Sequence, residues 1–211
     1  MKPKRLDRYS MMIVMKYFTS IEDYYKIIQV CKKFEEIPDM FHYNPIPYTE
    51  QVGNLFPNIE TQYLYSYFDE KIEDLERFTV MYCIFYKEYI EKLQQDKENE
   101  LIVRYTKVLL QNYSELDNGI VPLIITNIAD KCFLKCPFES IQLNTRVTSI
   151  GESNFMESKQ LTSITLSPFL QHLPKRSFYN CINLRTIEMP KELLSIGSQC
   201  FSNCNSFTSI T

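Results

Sequence analysis

Three stretches near the C-terminus decide the reading: Ile150–Leu166 is IGESNFMESKQLTSITL, Leu173–Met189 is LPKRSFYNCINLRTIEM, and Ile196–Thr211 is IGSQCFSNCNSFTSIT. Their first residues, 150, 173 and 196, lie 23 apart, and a shorter copy begins at Ile128. A fixed period of this size marks a solenoid, because one coil cannot bury its own apolar side and must pack on the next. With the first residue as position zero (Ile128, Ile150, Leu173, Ile196), position five is Phe133, Phe155, Phe178 and Phe201. Position eight is Cys136, Ser158, Cys181 and Cys204, and an apolar residue stands three before each start: Ile125, Val147, Leu170, Leu193. The first copy then runs one residue short. Phe138 aligns with Leu161, Leu184 and Phe207, Ile141 with Ile164, Ile187 and Ile210, and Leu143 with Leu166 and Met189. The end of each copy alternates as a short strand with one buried face requires. The phenylalanines predict one ladder between coils, and position eight a second that admits only cysteine or serine.

The working surface of a solenoid is usually formed by strand side chains that point away from its core. Here these are expected to be Ser140, Gln142 and Asn144, then Ser163, Thr165 and Ser167, then Thr186, Glu188 and Pro190. They make a small, polar and nearly uncharged face, the candidate site for a protein partner. The fourth copy stops at Thr211, inside its strand. Terminal repeats need polar caps, so the chain is expected to be a fragment or to pair there with another molecule; a soluble, stable monomer would contradict this.

These copies resemble the BspA-like leucine-rich repeats, whose pattern is I-G-x-x-A-F-x-x-C-x-x-L-x-x-I-x-L-P. Ile150-Gly151…Phe155 and Ile196-Gly197…Cys200-Phe201…Cys204 follow it most closely. Position one departs in Ala129 and Pro174, and the alanine position carries Cys132, Asn154, Ser177 and Cys200, read as variations at outer positions of a coil. The resemblance implies a binding scaffold of stacked short strands.

Outward from the repeat, residues 1–45 read as a small helical unit. Leu6–Phe18 is apolar nearly all round, which predicts a helix buried on most sides. Ser20-Ile21-Glu22-Asp23 resembles a capping box opening a second helix, with Tyr24, Ile27, Ile28 and Cys31 on one face. A third short helix is expected over Val30–Phe34, stopping before Pro38. This order resembles the F-box motif at Leu6, Ile13, Met15, Tyr17-Phe18, Asp23 and Val30-Cys31-Lys32-Lys33-Phe34. The usual proline after the leucine is missing, and Phe18 stands where leucine is common. The resemblance implies docking on the adaptor of a cullin-type ubiquitin ligase, through Leu6, Ile13, Met15, Tyr17, Phe18, Val30 and Phe34. Proteins joining such an N-terminus to such repeats resemble families expanded in parasitic amoebae.

Between the two lies a mixed region, 46–118. Closely spaced X-Pro steps disfavour helix at its start, and aromatic-rich Thr61–Tyr67 reads as a strand. Leu55–Tyr67 is shaped like a degenerate repeat. Tyr82, Phe85, Tyr86, Tyr89 and Leu93 recur at helical spacing, which predicts a helix over about 79–95. Leu101–Tyr105 reads as a strand with a short helix behind it, reaching Tyr113. Asp117-Asn118-Gly119 is a turn, taken as the start of the repeats, 119–211. The expected class is α+β: a small helical unit, then a leucine-rich repeat solenoid.

Composition narrows the function. Of 211 residues, 45% are hydrophobic and 23% charged, with a net charge of -3; this is a globular chain with no electrostatic call for nucleic acid or an anionic membrane. Four glycines are too few and too scattered for a phosphate-binding loop. No apolar run reaches the roughly 18 to 20 residues of a membrane span. The start MKPKRLDRYSMMIVMKYF lacks a small-residue cleavage site and holds Lys16 in its apolar run, so it reads as a folded helix and not a signal peptide. Seven cysteines in a chain this size favour free thiols in a reducing compartment. A cytoplasmic location is expected, with the nucleus left open. Cys132 with Cys136, and Cys200 with Cys204, have a spacing that packing already explains, and zinc lacks the rest of a ligand set. No base stands in register with a nucleophile. The expectation is a non-enzymatic interaction scaffold without cofactor or metal, whose partner is a protein; a ubiquitin-ligase substrate receptor is the alternative.

Overall fold

The computed structural model describes residues 6–210. The basic start Met1–Arg5, the end at Thr211, and the side chains of Ser209 and Ile210 lie outside the described residues. The chain divides into two compact units. One runs through Tyr82 and takes in Gln94–Thr106; the other takes in Cys83–Leu93 and continues from Lys107.

The first unit opens with helices α1 (Arg8–Met15) and α2 (Ile21–Val30), 3-10 turns at Lys32–Phe34 and Pro38–Met40, and helix α3 (Glu50–Leu55). Asp7 caps α1 by accepting from the Ser10 N–H, and Ser20 caps α2 by accepting from the Asp23 N–H, as its sequence predicts. The core forms around Tyr24, whose ring meets Phe18, Phe41 and Phe56 edge-on at 5.1, 6.4 and 5.1 Å. Its hydroxyl donates to the Met15 carbonyl at 2.6 Å, so this buried polar atom is satisfied. Ile46, Val52 and Phe56 share that core, which therefore does not close at residue 45. Two sequence expectations change here. Helix α1 is not buried on most sides: only Met15 is fully covered, because the unit is too small to pack elements on both sides of it. The third helix is a single 3-10 turn, Lys32–Phe34, since the extended backbone of Cys31 separates it from α2 and leaves it too short for an α-helix.

Strand β1 (Gln62–Leu64) pairs in parallel with Phe78–Val80 of β2 (Arg77–Phe85), and Tyr43 makes a parallel bridge to Thr61. Parallel pairing of successive segments is thus present in this unit. Asn44 ties the turns together. Its Nδ2 donates to the Ile46 and Tyr63 carbonyls at 3.0 and 2.8 Å, and its Oδ1 accepts from the Tyr63 N–H at 2.6 Å. The helix expected over 79–95 begins only at Tyr86, as α4 (Tyr86–Glu98). The stretch RFTVMYCIF is rich in strand formers, and ladder bonds to β1 decide the matter over a chance helical spacing. Strand β3 (Ile102–Leu110) is longer than read and takes the place of the short helix; a 3-10 turn, Tyr113–Glu115, follows.

The second unit is the repeat. Its strands are β4 (Asn127–Ile128), β5 (Ser140–Gln142), β6 (Ser149–Ile150), β7 (Ser163–Thr165), β8 (His172–Leu173), β9 (Thr186–Glu188), β10 (Ser195–Ile196) and β11 (Ser209–Ile210). Strands β5, β7, β9 and β11 form one parallel sheet, with Ile141, Ile164, Ile187 and Ile210 in register. A second ladder joins Leu109–Leu110 to β4 and β6, then stops, and β8 pairs separately with β10. Pro174 accounts for the break. At its place in the other copies, the N–H groups of Ala129, Gly151 and Gly197 donate to the carbonyls of Leu110, Ile128 and Leu173; proline has no such donor.

Between the ladders each coil turns twice through left-handed backbone. Lys131, Lys135, Ser153, Glu157, Arg176, Asn180, Gln199 and Asn203 all have positive φ, at positions three and seven of the four copies. None is glycine, so each of these turns is held by its neighbours against an unfavourable local conformation. What holds them is a row of bonds between coils: the N–H groups of Phe133, Phe155 and Phe178 donate to the carbonyls of Asn154, Ser177 and Cys200 at 3.0, 2.8 and 2.9 Å.

The phenylalanine ladder forms as expected. Phe133, Phe155, Phe178 and Phe201 stack at 5.2, 5.0 and 5.2 Å. Tyr113 extends it at 6.4 Å from Phe133, so the stack reaches back ahead of residue 119 into an eighteen-residue turn that starts at Leu110. Position eight is more than a small-residue slot. Ser158 Oγ donates to the Phe133 carbonyl at 2.7 Å, and the thiols of Cys181 and Cys204 do the same to Phe155 and Phe178 at 2.9 and 3.0 Å. Position four is corrected from outer to inner: Cys132, Asn154, Ser177 and Cys200 are buried, because the left-handed residue before each one turns it beneath the coil.

Candidate functional site

The outer face of the β5–β7–β9 sheet carries two columns of side chains, fixed by the register of the strands. Ser140, Ser163 and Thr186 form one; Gln142, Thr165 and Glu188 form the other. All are exposed except half-buried Ser163. The columns extend one turn further back than the sequence indicates. Ile120 bridges Gln142 in parallel, which adds Asn118 and Ile120 to the face. Gly119 sits so close alongside β5 that an added Cβ would run into the Ser140 carbonyl; here glycine is needed for close approach. Together Asn118, Ile120, Ser140, Gln142, Ser163 and Thr165 border a shallow cavity of about 340 Å³. Its groups are hydroxyls, amides and peptide edges, which can donate to and accept from another peptide but carry no charge to move.

Three of the residues expected on this face are not on it. Asn144, Ser167 and Pro190 are buried. The strands end at Gln142, Thr165 and Glu188, so strict alternation fails two residues later, where the chain turns. In each copy the residue three further on (Val147, Leu170, Leu193) donates back to the carbonyl of Asn144, Ser167 or Pro190. Asn144 Nδ2 also donates to the Pro122 and Ile125 carbonyls, and its Oδ1 accepts from the Arg146 N–H. Asn144 and Ser167 build the turn that supports the face.

In the helical unit, Leu6, Ile13, Tyr17 and Val30 are exposed, at 46, 42, 82 and 83%. Tyr9 and Val14 of α1 are exposed as well and were not singled out from sequence. Met15 is corrected: it is fully buried against Tyr24 and offers nothing to a partner. Phe18 and Phe34 also pack against the core and are only partly accessible, because the capped turn at Ser20 and the 3-10 turn at Lys32–Phe34 swing them inward.

The cysteines carry no poised chemistry. Burial pushes the thiols of Cys132, Cys136 and Cys181 up from their ordinary range, and that of Cys200 to about 11. The neutral thiol dominates at physiological pH, a poor nucleophile and metal ligand. His172 Nδ1 lies 2.8 Å from Ser195 Oγ across the β8–β10 ladder, an exposed contact between coils. Among the described residues no three His, Cys, Asp or Glu side chains converge on a metal position, and no helix is long and apolar enough to cross a membrane.

Parallel coils, a phenylalanine ladder and a polar outer sheet face make the second unit a stacked repeat, in a chain of α+β architecture. Residues 126–211 match the family model of the BspA type leucine rich repeat region, in six copies. A solved structure of a leucine-rich repeat protein from Bacteroides ovatus is similar at 18% identity and a TM-score of 0.41, over 72% of this chain and 36% of that one. The chain thus spans little more than a third of that protein's length, and a likeness this loose adds nothing to the repeat match. No curated protein matches the chain.

Proposed function

We propose that this protein is a non-enzymatic scaffold that binds a protein partner along the outer face of β5, β7 and β9, in a reducing compartment of the cell. The observation that carries this reading is the pair of columns, Ser140–Ser163–Thr186 and Gln142–Thr165–Glu188, held in register beside a shallow cavity. Side chains repeated at one strand separation, about 4.8 Å, present a regular row of donors and acceptors to a docked segment, and short hydroxyls lose little rotamer freedom on binding. Selection of a displayed peptide library on the immobilised full chain tests it. Enriched peptides should lose binding to the Gln142→Arg/Thr165→Arg variant and keep it with Ser153→Arg on another side of the coil. No enrichment, or equal loss with both variants, removes the proposal.

A second reading, docking of the N-terminal unit on a ubiquitin-ligase adaptor, is favoured by the exposure of the large apolar residues Leu6, Ile13, Tyr17 and Val30. Burying such residues is worth roughly 1.5–3 kcal/mol each, so their exposure leaves room for a partner. Pull-down of purified adaptor by the full chain, compared with Ile13→Asp/Tyr17→Asp, decides this reading: capture lost in the variant supports it, and no capture by the unmodified chain ends it.

A further inference from the structure

A second cavity of about 420 Å³ lies along the same sheet, one strand onward from the first, lined by Leu166, Phe169, Glu188, Met189 and Glu192 together with Pro168, Pro190 and Lys191. Its make-up differs from that of the hydroxyl-lined face. Leu166 is buried and forms the apolar base, while Phe169 is 59% exposed, an unusual position for a ring in a turn. Two exposed acidic residues, Glu188 and Glu192, line it against one exposed basic residue, Lys191. Glu188 is also the charged member of its column: its register partner is Thr165, and Thr165 pairs through Gln142's strand. A segment lying over Gln142 and Thr165 therefore reaches Glu188, the member of that column that also lines this cavity.

We propose that this cavity is the anchoring pocket of the partner face and takes one long cationic side chain, lysine or arginine, from the bound segment. The assignment rests on the outer sheet face being the partner surface. Apolar walls with an aromatic ring suit the methylene stem of such a residue, and carboxylates at the mouth suit its charged head. Phe169 adds attraction of the cation for the ring face, and a cation donating to a carboxylate makes a stronger bond than a neutral pair. An aliphatic side chain would fill the walls and leave the carboxylates unused; an acidic one would meet like charge. The pocket gives selectivity to a face that otherwise offers only uncharged hydrogen bonds.

The test uses the full chain and a blocked pentapeptide, Gly-Gly-Arg-Gly-Gly, with a citrulline counterpart that keeps shape and removes charge. Titrations are followed by amide shifts in two-dimensional NMR spectra. The arginine peptide is expected to give saturable shifts at Phe169 and Lys191 that weaken as salt is raised. Affinity should fall roughly fivefold to tenfold in Glu188→Gln/Glu192→Gln, the range expected for losing exposed charge pairs. Phe169→Ala should weaken it as well, and citrulline should bind no better than that doubly neutral variant. These substitutions are at exposed positions, so an unchanged spectrum elsewhere certifies the fold. Equal binding of the two peptides, no saturable shift at the cavity, or unchanged affinity in the doubly neutral variant overturns the proposal. The pentapeptide reads the cavity and library enrichment reads the face, so either can fail while the other stands.

Discussion

Replacing Phe155 by alanine should cost much more stability than the same change at Phe201, the outer rung of the ladder. Phe155 is fully buried and stacked on both sides, against Phe133 at 5.2 Å and Phe178 at 5.0 Å. Truncating a buried phenylalanine costs about 3–5 kcal/mol. Each ring contact adds about 0.5–1.5 kcal/mol beyond area burial, and two are lost here, which places the expected loss at the upper end, about 4–5 kcal/mol. Phe201 stacks on Phe178 and meets Phe207 edge-on, but is only partly buried; Phe201→Ala should cost about half as much by the same scale. Urea unfolding followed by circular dichroism reads both. Against a typical domain stability of about 5–15 kcal/mol, Phe155→Ala should lower the midpoint steeply with little change in slope. A cost below about 1 kcal/mol, or one no larger than for Phe201→Ala, would refute the view that the ladder is the core of the stack.

Three further outcomes follow from particular contacts. Ser158→Ala removes a buried hydroxyl that donates to the Phe133 carbonyl and accepts from the Cys136 N–H, so it should cost about 1–3 kcal/mol by thermal melting; Ser158→Cys, which restores the donor used in other copies, should recover most of it. Asn44→Ala strands two carbonyls and the Tyr63 N–H, with an expected loss of about 2–4 kcal/mol; amide exchange should speed up at Tyr63, and unchanged protection there would count against the role assigned to Asn44. Alkali should destabilise the repeat. The Cys200 thiol is raised by burial from 9.0 to about 11, so its proton is held by the folded chain and released by the unfolded one between those values. That contribution is full below pH 9 and is lost as pH rises towards 11, by about 1.4 kcal/mol per pH unit for each such thiol. Urea midpoints at pH 8 and pH 10 should differ, and the difference should shrink in Cys200→Ala; equal midpoints at the two pH values would contradict it.

What the sequence by itself determined was whatever repeats. Phe133, Phe155, Phe178 and Phe201, and the isoleucines Ile141, Ile164 and Ile187, recur at a fixed spacing because equivalent residues must meet across coils, and that demand is written into every copy. Helix α2 was legible for a different reason: Ser20 and its neighbours form a local cap that needs no distant partner. The outward columns Ser140–Ser163–Thr186 and Gln142–Thr165–Glu188 follow from period-two alternation alone. Tertiary structure decided the rest. Alternation is a property of a strand, and the strands end at Gln142, Thr165 and Glu188, so Asn144, Ser167 and Pro190 turn inward where the pattern would have sent them out. Residues 77–85 carry both a helical spacing and strand-forming side chains, and pairing with Gln62–Leu64 on one side and β3 on the other chooses between them. Tyr113 and Gly119 belong to the stack without matching the repeat, because a ring of similar size and a missing Cβ satisfy the packing as well as the consensus residues do. The second cavity is also a tertiary product: Phe169 and Glu192 lie in turns 23 residues apart, and stacking alone brings them to the rim of one pocket.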